Sequence, residues 1–97
     1  MHGEYKTPGG KLVVVDFDVV DGVLRNVVVS GDFFLYPEEA LEPLTAPLEG
    51  LPRETDETGI ADAVRRGIPA GTELLGTSPE GIAIAVRRAL LAEDRGA

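Results

Sequence analysis

Between Lys11 and Ser30 the apolar positions follow the pattern of two paired strands. Val13, Val14, Val15, Phe17, Val19 and Val20 are β-branched or aromatic, a composition that fits a pleated, half-buried surface. Asp21-Gly22 supplies the positive φ angles of a type I′ turn, whose twist matches the strands it joins, and a second apolar run extends from Val23 to Ser30. This short loop sets Asp18 opposite Arg25 as an exposed charge pair. Strict alternation from Leu24 would turn Asn26 toward Phe17 and push Val27 and Val29 outward, the wrong polarity for a strand with one buried face. The pattern therefore predicts a β-bulge near Arg25-Asn26, which returns Val27 and Val29 to the face of Val13, Val15, Phe17 and Val19.

After Gly31 the period lengthens. Phe33 and Phe34 stand at a bend between strand and helix, where adjacent side chains take opposite directions. Phe33, in phase with Val27 and Val29, is expected to be buried and Phe34 to lie near the surface. Pro37 suits a helix start, and Glu38 and Glu39 favour the positive end of the helix dipole. Leu41, Leu44, Leu48 and Leu51 recur at helical spacing, but Pro43 and Pro47 each remove an internal hydrogen bond, so the helix is expected to be kinked or broken into two short pieces. Gly50-Leu51-Pro52 closes it, and Arg53 to Thr58 is a charged loop. A second helix, capped by Asp56 or Thr58, buries Ile60, Ala63 and Val64 and ends at Gly67. A short strand is expected at Thr72 to Leu75. Ser78-Pro79-Glu80 combines a hydroxyl cap, a first-turn proline and an acid, and opens a final helix to about Ala92. Its stripe is Ile82, Val86, Ala89 and Leu90, with Arg87, Arg88 and Arg95 near the negative end of the dipole.

These elements predict an α+β fold: a small antiparallel sheet of two or three strands built on a hairpin and covered on one side by about three helices. The 97 residues make one domain, 1–97, with 1–7 and 93–97 as flexible ends. Seventeen acidic against nine basic residues give a net charge of −8, which repels phosphate backbones and anionic membrane surfaces. Neither nucleic acid nor membrane is an expected partner. No cysteine is present, so disulfides and thiolate metal sites are excluded. The N-terminus lacks the basic flank and apolar run of a signal peptide, and no apolar stretch is long enough to span a bilayer. The cytoplasm is the default location.

Catalytic machinery is not evident. His2, the one histidine, stands near the terminus without a partner at metal spacing. Ser78 is accounted for as a cap and Ser30 as a strand end, and neither lies in a nucleophile elbow. Glu38-Glu39 and Asp16-Asp18 read as a helix start and a solvated strand face. No catalytic or metal-binding residue is assigned. One basic segment stands against this acidic background: Lys6-Thr7-Pro8-Gly9-Gly10-Lys11 holds both lysines around two glycines. Its exposed N–H groups could form an anion-binding nest, or it could be a plain turn ahead of a strand with solvated lysines. It lacks Walker spacing and leads into no helix.

Taken together, KTPGGKLV, the Asp-Gly hairpin, SGDFFLYPEEAL and TSPEGIAIAVRRAL resemble the C-terminal accessory domain of lipoate–protein ligases over nearly the whole chain. In that family the domain is fused to the catalytic domain or forms a separate small subunit, and a chain opening at Met1 with no catalytic domain ahead resembles the separate form. The resemblance implies support of ATP-dependent activation of lipoate to lipoyl-AMP by a catalytic subunit, which then transfers lipoate to a lysine of a lipoyl carrier domain. ATP, Mg and lipoate are then expected in the complex, with none bound by this chain alone. The catalytic subunit is the implied partner, and the carrier domain a transient one. By the same resemblance, Lys6, Pro8, Gly9, Gly10 and Lys11 are expected to face the shared site, and Gly31, Asp32, Phe33 and Phe34 to fix the bend between sheet and helix. Pro43 and Pro47 depart from the uninterrupted helix expected of relatives. The element order is also similar to iron–sulfur cluster scaffold proteins, whose metal-binding cysteines stand near positions held here by Asp32 and Thr77-Ser78. The alternative function is therefore a noncatalytic interaction module of that fold, binding a protein partner and no metal.

Overall fold

The computed structural model describes the backbone of residues 1–96 and the side chains of residues 1–92. At its centre the expected hairpin forms from β2 (Leu12–Val20) and β3 (Val23–Gly31), with Asp21 and Gly22 both at positive φ in the turn. Asp18 and Arg25 are partners in the register, as expected, and so are Asp16 and Val28. Between those pairs β2 contributes only Phe17 whereas β3 contributes Asn26 and Val27, so the bulge lies where the polarity required it. Phe17, Leu24, Val27 and Val29 are all buried in consequence. Asp18 accepts a hydrogen bond from the Asn26 amide at 3.0 Å, which makes Asn26 a polar partner of Asp18 across the bulge.

The expectation of a flexible lead at 1–7 misses β1 (His2–Lys6), which pairs antiparallel with β2 and makes a three-stranded sheet of order β1-β2-β3. His2 is thus held in a strand and not on a loose terminus. It lies across from Asp16 in the register, and its ring nitrogens meet Asp16 at 2.8 Å and Glu4 at 2.7 Å. The hydrogen bond to Glu4, then that to Asp16, raises the His2 pKa above 6.5. A folded-state pKa above the unfolded one means a stabilising contribution that is full below about 6.5 and lost as pH rises through the raised value. His2→Gln is accordingly expected to lose stability on the acid side of that window and to match the wild type above it. Thermal melts from pH 5 to 9, with an NMR titration of the His2 ring, check both parts; a gap that stays constant with pH would refute the linkage.

The segment after the sheet is broken as the prolines require. A 3-10 turn at Glu38–Ala40, α1 (Leu41–Thr45) and a second 3-10 turn at Ala46–Leu48 replace a continuous helix. Leu44 and Leu48 are fully buried and Leu51 packs against the core, but Leu41 points outward, 40% exposed. Asp56, not Thr58, caps α2 (Glu57–Gly67) by accepting from the Gly59 N–H at 2.8 Å. The expected stripe of Ile60, Ala63 and Val64 is buried and gains Ala61. The Ser78 hydroxyl caps α3 (Pro79–Gly96), accepting from the Gly81 N–H at 3.1 Å. Ile82, Val86, Ala89 and Leu90 are buried as expected, against β1 and β2 on one side and α2 on the other. Arg87 reaches the carbonyls of Arg53 and Thr55 at 3.2 and 3.4 Å and ties the charged loop to α3. Arg95 and the flexible end expected at 93–97 lie outside the described side chains.

The short strand expected near Thr72 is β5 (Glu73–Leu75). It pairs antiparallel with β4 (Phe34–Tyr36), a strand absent from the sequence reading, to form a separate two-stranded ribbon. The architecture is α+β, with helices packed on the sheet and one shared hydrophobic core.

Candidate functional site

The basic segment is the loop from β1 to β2. Thr7 closes it twice: its carbonyl accepts from the Gly10 N–H at 2.8 Å, and its N–H donates to the Lys11 carbonyl at 3.2 Å. The Lys11 N–H in turn donates to the Gly76 carbonyl at 2.8 Å, just past β5, and the hydroxyls of Thr7 and Thr77 meet at 3.1 Å. The N–H groups of Gly10 and Lys11 are therefore committed within the fold and are not free to bind an anion. Gly10 serves a different purpose. A side chain at this position would stand 2.5 Å from the Gly76 carbonyl oxygen, so only glycine lets the two segments meet. Lys6, Pro8, Gly9 and Lys11 are exposed, and neither lysine forms an ion pair among the described residues. What the loop can offer an anion is two solvated ammonium groups on a backbone pinned at both ends.

The second group of residues abuts the first. Asp32 donates its N–H to the Leu12 carbonyl at 3.0 Å, directly after the loop. Gly31, at φ 140°, lies so close to that same carbonyl that no side chain fits. Gly76 is wedged between them: a methyl there would meet the Lys11 side chain at 2.7 Å and the Phe33 α-carbon at 3.6 Å. Lys11, Phe33 and Gly76 thus share one corner. Phe33 is half-buried and packs against the core, whereas Phe34 is 66% exposed, in the directions expected of the pair.

Two parts of this corner were not read from the sequence as functional. One is Gly76-Thr77, which binds the loop through a main-chain and a hydroxyl contact that leave no pattern in the chain. The other is the outer face of the ribbon, where Phe34 and Leu75 are cross-strand partners and both exposed, with Tyr36 beside them 71% exposed. The alternating apolar residues of the ribbon, Leu35 and Leu74, pack inward on the core. The ribbon thus holds three large apolar side chains outward, and Lys11 meets the chain at Gly76, directly after Leu75. Among the described residues, no helix is long and apolar enough to cross a membrane.

No family model and no curated protein matches the chain. A solved structure does: a chain from the structural analysis of an archaeal lipoylation system, a bi-partite lipoate protein ligase and its E2 lipoyl domain from Thermoplasma acidophilum. It superposes with a TM-score of 0.69 at 26% sequence identity, over 90% of this chain and 93% of that one. The resemblance to a lipoate–protein ligase component carried by the glycine-lysine, GDFF and TSPEG segments is borne out along nearly the full length of both chains.

Proposed function

We propose that this chain is the accessory small subunit of a two-component lipoate–protein ligase, supporting the ATP-dependent activation of lipoate to lipoyl-AMP by a separate catalytic subunit in the cytoplasm. The observation that carries this reading is the end-to-end likeness to a chain of a bi-partite ligase system, with 26% identity over 90% of the sequence. The meeting of Lys11, Gly76 and Phe33 in one corner supports this reading. In it, the pinned β1–β2 loop presents its ammonium groups to the anionic adenylation site of the partner, and the exposed aromatics of the ribbon form part of the contact. ATP, Mg and lipoate are bound in the complex, by the catalytic subunit, and the carrier domain meets the pair only during transfer.

The test is reconstitution. Mixing this chain with a lipoate–protein ligase catalytic subunit should restore lipoate-dependent pyrophosphate exchange, and stable association without any gain in exchange would defeat the proposal. Lys11→Ala should lower exchange roughly tenfold, as expected for one lost charge-assisted hydrogen bond, while leaving the affinity of the two subunits nearly unchanged. An equal loss in both would make Lys11 an interface residue only. A pull-down that recovers carrier or cluster-assembly proteins and no ligase would favour the noncatalytic interaction module instead.

A further inference from the structure

The sheet ends at β3, and the two halves of that edge are treated differently by the fold. Along the first half, the Leu24 N–H donates to the Leu51 carbonyl at 2.9 Å and the Leu24 carbonyl accepts from Gly50 at 2.7 Å. At the bulge, the Glu49 carboxylate accepts from the N–H groups of Asn26 at 3.0 Å and Val27 at 2.6 Å. This half is closed.

The second half is open. The Phe17 N–H donates to Met1, so odd-numbered positions of β2 direct their main-chain groups toward β1; the Leu12 carbonyl accepts from Asp32, so even-numbered ones face β3. Val15 and Val13 are the register partners of Val29 and Gly31, whose own N–H and C=O groups must therefore point off the free edge. No segment among the described residues pairs with them there. An edge left bare is a template for another strand, and folds ordinarily cover it, as this one does over Leu24 to Val27.

A groove runs beside the bare edge. It has a volume of about 680 Å³, with Val27 and Val29 as its apolar base, Leu41 of α1 as a wall, and Glu38, Glu39 and Glu42 along the rim. A second hollow of about 370 Å³ shares Val29, Glu38 and Leu41 with it and continues to Phe34. Neither is lined by lysine or arginine. We infer that the Val29–Gly31 edge and this groove dock an extended, lysine- or arginine-bearing segment of the catalytic ligase subunit, which adds to the sheet as a strand beside β3. This rests on the functional reading above. The acidic rim and the net charge of −8 select a basic segment and oppose a second copy of this chain, while the apolar base receives its alternate side chains. The groove meets the lysine corner at Phe34, so a segment seated in it would lead the partner toward Lys11.

Hydrogen exchange on the full chain, with and without the lipoate–protein ligase catalytic subunit of the same organism, tests the inference. Binding should slow the amides of Val29 and Gly31 about tenfold or more and leave Ser30, which faces β2, unchanged. The variant Glu38→Lys/Glu39→Lys/Glu42→Lys alters only exposed carboxylates and should weaken association about tenfold, as should added salt on the wild type. Leu41→Asp, also at an exposed position, should weaken it independently of salt, with circular dichroism confirming that both variants fold. If the wild type binds while exchange at Val29 and Gly31 and the affinities of both variants stay unchanged, the groove is not the docking site and the functional reading survives. If the wild type neither binds nor stimulates the ligase, both fall. A homodimer that protects the same amides would likewise overturn the assignment.

Discussion

Replacing Gly3 by alanine is expected to lower stability by about 3 kcal/mol, the upper end of the usual cost of overpacking. Gly3 is buried in β1 beneath α3, and a methyl group there would collide with the Ala85 carbonyl oxygen and lie 2.8 Å from both the amide nitrogen and the β-carbon of Ala89. Two of those three atoms are helix backbone, which cannot rotate aside as a side chain could. The helix must lift, and with it Ile82, Ala85, Val86 and Ala89, all buried. In a chain of this size the loss corresponds to a fall in Tm of about 10 °C or more. Thermal unfolding followed by circular dichroism measures it, with Glu54→Ala, at an exposed position, as the control expected to move stability by only about 0.5 kcal/mol. A Gly3→Ala shift no larger than the control would mean that α3 does not press on β1.

The same glycine explains why β1 was not legible in the sequence. His-Gly-Glu-Tyr-Lys has one apolar side chain and no alternation to follow. Its place in the fold comes from the main-chain ladder to β2 and from an absent side chain, and neither writes a hydrophobic period. The hairpin was legible because its turn and its polarity both constrain the register, and α3 because a cap, a proline and an acid precede an apolar stripe. Leu41 shows the limit of spacing alone. It shares the period of Leu44 and Leu48, but the breaks imposed by Pro43 and Pro47 rotate the short pieces, and Leu41 ends on the groove side. The site was half legible. Its residue types were visible as lysines, glycines and paired aromatics, whereas their meeting through Gly76 rests on a main-chain hydrogen bond and a close approach.

Asn26→Val is expected to destabilise the chain by about 2 kcal/mol, although valine is the better strand former. Asn26 adopts φ 56°, a left-handed conformation that asparagine tolerates and a β-branched residue does not, at a penalty of roughly 1–2 kcal/mol. The substitution also removes the 3.0 Å hydrogen bond from the side chain to Asp18. Asn26→Gly should stay within a few tenths of a kcal/mol of the wild type, since glycine accepts positive φ and offsets the lost hydrogen bond. Urea unfolding of the two variants separates backbone strain from strand propensity: a valine variant as stable as the glycine one would show that the bulge is not the native arrangement. The consequence reaches beyond stability. The bulge turns the N–H groups of Asn26 and Val27 onto the Glu49 carboxylate, closing that part of the β3 edge, and leaves Val29 and Gly31 as the part still open to a partner. A sequence that smoothed the bulge would free Glu49 and shift the boundary between the covered and the open edge. Glu49→Gln, which keeps one acceptor oxygen and removes the charge, should accordingly quicken exchange at Asn26 and Val27 without affecting Val29 or Gly31.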